Sequence, residues 1–173
     1  MDGIVETETE TRKGMQALRA VIDTSVLFAP HLRAELQELA LQGIFTAIWS
    51  PWIIAELNRV LVWQWIVERT KGDLSRANER RCSQSAKRMM TLLLGTFEIV
   101  DPRPPYPVAW GSLTDVDDQP IWAAVVESNA QYVVSDNTSD YPPRLPDGRH
   151  IHQGIQYIQG RDFLELLLTS LSD

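Results

Sequence analysis

The sequence predicts a three-layer α/β/α domain with a central, mostly parallel sheet. Three observations carry that expectation. Short apolar runs of strand length alternate with segments whose apolar residues recur at helical spacing. The first strand, the helix after it and the second strand fit in about thirty residues, the length of a βαβ unit, which makes the two strands parallel. Turns rich in acids and hydroxyls follow the apolar runs, at the strand ends where open α/β sheets collect their ligands.

The first strand lies in Val21-Ile22-Asp23-Thr24-Ser25-Val26-Leu27, an apolar run that ends on one carboxylate and is followed by two hydroxyl residues. Residues 30–42 then place Leu32, Leu36, Leu39 and Ala40 at helical intervals, with Pro30 near the start and Gly43 just past the end. Residues 44–49, rich in β-branched and aromatic side chains, form the second strand. Ser50-Pro51 opens a helix as N-cap and first helical residue, and that helix carries Glu56, Leu57, Val60 and Leu61. Residues 63–95 are helical with a break near Gly72-Asp73, after which Ser75 caps a long basic helix. A third strand falls in residues 97–100, and the four prolines in residues 101–107 make an extended connection. Asp117 or Asp118 caps a helix to about Ser128, with Ile121, Trp122, Ala124 and Val125 facing inward. Residues 131–135 are a buried strand that leads into the polar turn Asp136-Asn137-Thr138-Ser139-Asp140. Residues 142–148 are loop, His150 and His152 lie in a loop, residues 155–158 are a last strand, and residues 162–171 a closing helix. Residues 1–18 are expected to be a flexible acidic tail and residues 19–173 a single domain, with no internal repeat.

Composition narrows the setting. Hydrophobic residues at 44% and charged residues at 23% are ordinary for a globular protein. No stretch reaches the roughly 18 apolar residues of a membrane span. Residues 1–13 alternate Glu and Thr and do not read as a secretory signal, and the one cysteine, Cys82, has no internal disulfide partner. A cytoplasmic setting is therefore expected. The net charge of -7 speaks against a nucleic-acid partner until its distribution is considered. Residues 59–88 hold eight basic side chains against three acids, while the remainder holds eight against twenty. Such segregation suits a phosphate-contacting face beside an acidic pocket, with Arg76, Arg80, Lys87 and Arg88 as the RNA-guiding candidates. A solvated helix surface with i,i+4 pairs accounts for the same charges equally well.

Four acids stand at places that a parallel sheet can bring together: Asp23 after the first strand, Glu56 in the helix after the second, Asp118 at the start of the helix before the fourth, and Asp140 beyond it. Each has a plainer role as a cap, turn or solvated residue. Crowded together they would repel one another unless cations neutralised them, and oxygen-only donors favour Mg²⁺ or Mn²⁺ over zinc. Such a site polarises a water into a nucleophile and stabilises charge on a phosphodiester, commonly with two ions about 3.5–4 Å apart. Asp23 and Asp118 with Asp140 would hold the main ion, and Glu56 would orient the water or hold a second ion. Thr24 or Ser25 would hydrogen-bond a carboxylate or a phosphate oxygen.

With these residues in place, the sequence resembles the PIN-domain family, the nuclease fold of VapC-type toxins. The resemblance runs through the Asp23 motif, through Ser50-Pro51-Trp52-Ile53-Ile54-Ala55-Glu56-Leu57, through Asp115-Val116-Asp117-Asp118-Gln119-Pro120-Ile121-Trp122, and through Tyr132-Val133-Val134-Ser135-Asp136-Asn137-Thr138-Ser139-Asp140-Tyr141-Pro142. It implies Mg²⁺- or Mn²⁺-dependent ribonuclease activity and, for many bacterial members, neutralisation by a cognate antitoxin. Carried over by residue, the family's acids fall on Asp23, Glu56 and Asp118, with Asp115 and Asp117 competing for the third place. Where many members end the fourth strand on Thr-x-Asp, this chain has Ser135-Asp136-Asn137. A subgroup pattern makes Asp140 the last acid, leaves Asn137 as a neutral carbonyl ligand, and leaves Asp136 as an alternative. Gln119-Pro120 stands where relatives often show Arg-His.

A PIN-fold module that binds RNA or protein without cutting is the competing class, suggested by Asn137 and the negative net charge. Of the six tryptophans, Trp49 and Trp122 read as core. Trp52, Trp63 and Trp65, on the second and third helices, read as a patch for a second subunit, making a homodimer, or for an antitoxin helix. Cys82 reads as packing. A Gly-rich phosphate loop and a Gly-x-Ser-x-Gly elbow are both missing, which removes nucleotide-hydrolase and α/β-hydrolase readings.

Overall fold

The computed structural model describes residues 18–109 and 119–172. Six strands form one sheet: β1 (Leu18–Ile22), β2 (Phe45–Trp49), β3 (Glu98–Ile99), β4 (Tyr132–Val134), β5 (His150–His152) and β6 (Ile155–Ile158), in the order β3-β2-β1-β4-β6-β5. Every pairing is parallel except β5 with β6. The helices are α1 (Thr24–Leu27), α2 (Pro30–Leu41), α3 (Pro51–Thr70), α4 (Arg76–Leu94), α5 (Gln119–Ser128) and α6 (Gly160–Ser170). The mixed, mostly parallel α/β architecture expected from sequence is therefore present. Leu18, placed in the tail by sequence, is the first residue of β1.

Central position follows from composition. Ala20, Val21 and Ile22 of β1 are wholly buried, as a parallel strand covered on both faces must be. Around them pack Trp49 and Trp122, both fully buried, and Phe163 of α6, whose ring meets Phe45 edge-on at 5.3 Å. Cys82 is buried in the stripe that α4 turns inward with Ala86, Met90 and Leu93. Arg19 at the start of β1 reaches across the sheet to a two-pronged contact with Glu98 (2.7 and 3.1 Å) and donates to the Ser128 carbonyl at 2.9 Å. One guanidinium thus ties the edge strand β3 to the end of α5.

Several elements differ from the sequence expectation. His150 and His152 belong to a strand, β5, that folds back on β6 through Gln153 and Gly154, both at positive φ (49° and 81°). That is the backbone of a two-residue hairpin, but Gln-Gly is a weaker sequence signal than Asn-Gly, so the turn was not legible. Trp52, Trp63 and Trp65 lie on one helix, not two, because α3 runs unbroken to Thr70 before Lys71 turns left-handed. The helix α6 opens at Gly160, two residues before Asp162. A side chain at Gly160 would place its Cβ 2.7 Å from Leu32 and 2.8 Å from Val26, so only glycine lets α6 begin against α1 and α2. Among the described residues, no helix is long and apolar enough to cross a membrane.

Candidate active site

The register of the sheet builds the site. Ile22 pairs with Val134, so the next residues, Asp23 and Ser135, leave their parallel strands side by side. Asp23 is 7% exposed and caps α1, accepting from the Thr24 backbone N–H at 2.7 Å on Oδ1. Its Oδ2 accepts from the hydroxyls of Ser25 (2.6 Å) and Ser135 (2.8 Å). Those hydroxyls are themselves held as donors: Ser25 Oγ accepts from the Asp136 N–H at 2.9 Å, and Ser135 Oγ from the Asn137 N–H at 3.1 Å. Two relays of N–H to O–H to carboxylate converge on one oxygen, and each link polarises the next. The result is a buried carboxylate of defined orientation.

Glu56 joins from the other side. Ser50 caps α3 by accepting from the Ile53 N–H at 3.3 Å, which aims the first turns of the helix at the rim. Thr24 Oγ1 then donates to Glu56 Oε2 at 3.0 Å. Through Thr24, whose N–H serves Asp23 and whose hydroxyl serves Glu56, the two carboxylates share one residue as donor. The sequence named both acids and both hydroxyl residues Thr24 and Ser25; it missed Ser135 as a partner of Asp23. The signal was available, since the residue after β4 must stand beside the residue after β1.

The remaining acids fall differently. Asp140 lies on a short 3₁₀ turn (Thr138–Asp140) and borders a small recess together with Asp23, Ser135 and Asn137. Within that turn Asn137 Nδ2 donates to Asp140, and Ser139 Oγ donates to Asn137 Oδ1 at 2.6 Å and to Asp140 at 3.1 Å. Asp136, an additional ligand candidate in the sequence, accepts from the Gly160 N–H at 2.9 Å on Oδ1 and so satisfies an orphan donor at the start of α6. Asp115, Asp117 and Asp118 lie outside the described residues. Arg76, Arg80, Lys87 and Arg88 are all exposed on α4. Since α4 returns antiparallel to α3 after a short connection, Lys87 and Arg88 are nearer the acids than Arg76, which is on the order of 20 Å along the hairpin from Glu56.

Tyr141 donates from its hydroxyl to the Ser135 carbonyl at 2.6 Å. Burial, and then the carboxylates of Asp136, Asp162 and Asp23, push this phenol above its ordinary value of 10.0. It remains a donor throughout the physiological range and buttresses the strand end.

Asp23 and Glu56 present oxygen donors only, a set that fits a hard divalent cation. Among the described residues no group of three or more His, Cys, Asp or Glu side chains is gathered closely enough to hold a metal ion. The described part of the site is thus two carboxylates bridged by Thr24, with Asp140 bordering the recess.

The chain belongs to the PIN-domain family: residues 19–139 match the family's PIN domain profile. That is generally a nuclease fold, and its members typically use divalent metals. Its fold is similar to that of PAE2754 from Pyrobaculum aerophilum, at 15% identity and a TM-score of 0.54, over 90% of this chain and 99% of the other. No curated protein matches the sequence.

Proposed function

We propose that this PIN domain is a divalent-metal-dependent endoribonuclease and the toxin component of a toxin–antitoxin pair. The observation that carries the reading is the joining of Asp23 and Glu56 through Thr24 at the carboxyl rim of a parallel sheet. Two carboxylates held together and mostly out of water repel unless a cation lies between or beside them. Asp23 and Glu56, with Asp118 and Asp140, would hold Mg²⁺ or Mn²⁺. When bound, such an ion lowers the pKa of water and neutralises charge on the phosphate and the leaving oxygen. The Ser25 and Ser135 hydroxyls keep Asp23 in one rotamer, so its free lone pairs keep one direction. Lys87 and Arg88, with Arg76 and Arg80 further out, would attract the phosphate backbone that the acidic rim alone would repel. The partners proposed are RNA, a cognate antitoxin and a second copy of the chain.

A second reading, a PIN-fold module that binds RNA or protein without cutting, is favoured by one feature: the neutral Asn137 stands where many family members carry an acid. One experiment separates the two. Purified protein is incubated with structured and single-stranded RNA in Mn²⁺, in EDTA, and as the Asp23→Asn variant. The nuclease reading expects cleavage in Mn²⁺ alone. Binding without cleavage by the wild type would favour the module, and equal cleavage by Asp23→Asn would sink the proposed chemistry.

A further inference from the structure

We infer that the groove beside Trp52 is a stacking subsite for an unpaired RNA base, next to the phosphate held at Asp23 and Glu56. The inference rests on the ribonuclease reading for the position of that phosphate. The groove runs between the start of α3, the start of α5 and the connection after β3. Its walls include Trp52, Tyr106 and Arg103, with Pro51, Pro102, Pro104 and Pro120 among them.

Three physical features set this groove apart from the other exposed apolar side chains. First, it pairs two aromatic rings with a guanidinium, the combination that sequence-tolerant single-strand sites use, because every base has a π-face. The Trp52 side chain is 42% exposed there, although it stands on the first turn of a helix whose cap is already satisfied. Second, the prolines fix φ along the walls, so little conformational freedom is lost when a planar group enters. Third, Arg103 is 80% exposed and pairs with Asp101, itself 48% exposed. A pair so solvated contributes little, and a phosphate can replace its carboxylate at small cost.

Position gives the groove its role. Trp52 precedes Glu56 by one helical turn, so the two side chains are neighbours on one face of α3, about 5–6 Å apart at Cβ. Ser50 follows β2, the neighbour of β1 in the sheet, and Asp101 lies just past β3, the strand on the far side of β2. Successive strands are about 4.8 Å apart, so a strand of RNA lying along the carboxyl rim passes from the Trp52 groove directly to the acids. A base in a duplex has both faces covered and cannot enter. The base this groove takes is therefore one left unpaired in its strand.

The test uses the full chain and two probes, a fluorescein-labelled oligouridylate and a blunt RNA duplex of the same length. Binding is read by anisotropy in Ca²⁺ with the strands verified intact, and cleavage is read separately in Mn²⁺. Wild type is expected to bind the single strand at least about tenfold more tightly than the duplex. Trp52→Ala should lose about 5- to 150-fold for the single strand alone, the size of one lost stacking contact. Trp52→Phe should keep most of the affinity, and in cleavage Trp52→Ala should raise KM with kcat little changed. Unaltered single-strand affinity in Trp52→Ala, at an unaltered melting temperature, overturns the subsite. So does an equal loss for single strand and duplex. Cleavage by Trp52→Ala at the wild-type KM overturns the subsite and leaves the nuclease reading standing. Absence of wild-type cleavage together with the selective loss of single-strand binding does the reverse.

Discussion

The two flanks of the carboxyl rim are built on opposite plans. On the β4–β6 flank, Asp23 is surrounded by donors whose own acceptors are filled: Ser25, Ser135, Asp136 and Asn137 form a closed circuit that continues to Gly160 and Tyr141. On the β2–β3 flank, Trp52, one helical turn before Glu56, borders a groove of prolines, Tyr106 and a solvated Arg103. The difference fits the division of labour proposed for the two flanks. A carboxylate that must hold a cation in one place gains from neighbours that cannot turn away, whereas a surface that receives a flexible chain gains from exposed faces and weak internal pairing.

Substitutions can break or sharpen that contrast. The largest effect is expected for Asp23→Asn, which keeps the volume but removes the charge on which both relays converge. Loss of several kcal/mol of transition-state stabilisation means at least about a hundredfold slower cleavage in single-turnover assays. Ser135→Ala should come next. It removes one donor to Asp23 without touching substrate, and outer partners of metal ligands typically matter by about 10- to 100-fold in metal affinity or activity. A Mn²⁺ titration of cleavage should shift accordingly, and an unshifted titration would mean that the closed flank does not serve the cation.

Smaller effects are structural. Gly160→Ala forces a methyl group to within 3 Å of Leu32 and Val26, and such overpacking typically costs about 1–3 kcal/mol, visible as a melting temperature lowered by a few degrees or more. Tyr141→Phe gives up the hydrogen bond to the Ser135 carbonyl, about 1 kcal/mol near neutral pH. Its pH signature has a definite sign. With the folded phenol raised above 10.0, the stability this group contributes is fully present and independent of pH below that value. It falls as the pH climbs past 10.0, because the unfolded chain releases the proton first. Tyr141→Phe should therefore show a shallower alkaline loss of stability in denaturant titrations at successive pH values.

The parts of this molecule that the sequence discloses are those set by local chemistry. The βαβ start, the Ser50-Pro51 cap and the apolar runs of β1 and β6 need no knowledge of distant residues, and neither does the placement of Asp23 and Glu56 at element ends. What stayed hidden depends on neighbours brought by the sheet. Ser135 becomes a partner of Asp23 only through the β1–β4 register. The bond from the Gly160 N–H to the Asp136 carboxylate likewise joins residues far apart in the chain. The hairpin of β5 and β6 turns on Gln153 in a left-handed conformation that its side chain does not advertise. The three tryptophans divided between two helices share one, because nothing between Pro51 and Thr70 stops α3.

The strands at the two margins of the sheet are short, two residues in β3 and three in β5. Each leaves very few free backbone groups facing outward, and a passing polypeptide finds no template long enough to extend. Lateral growth into fibrous aggregates is thereby discouraged at both sides, even though Ile99 presents an apolar side chain at one of them.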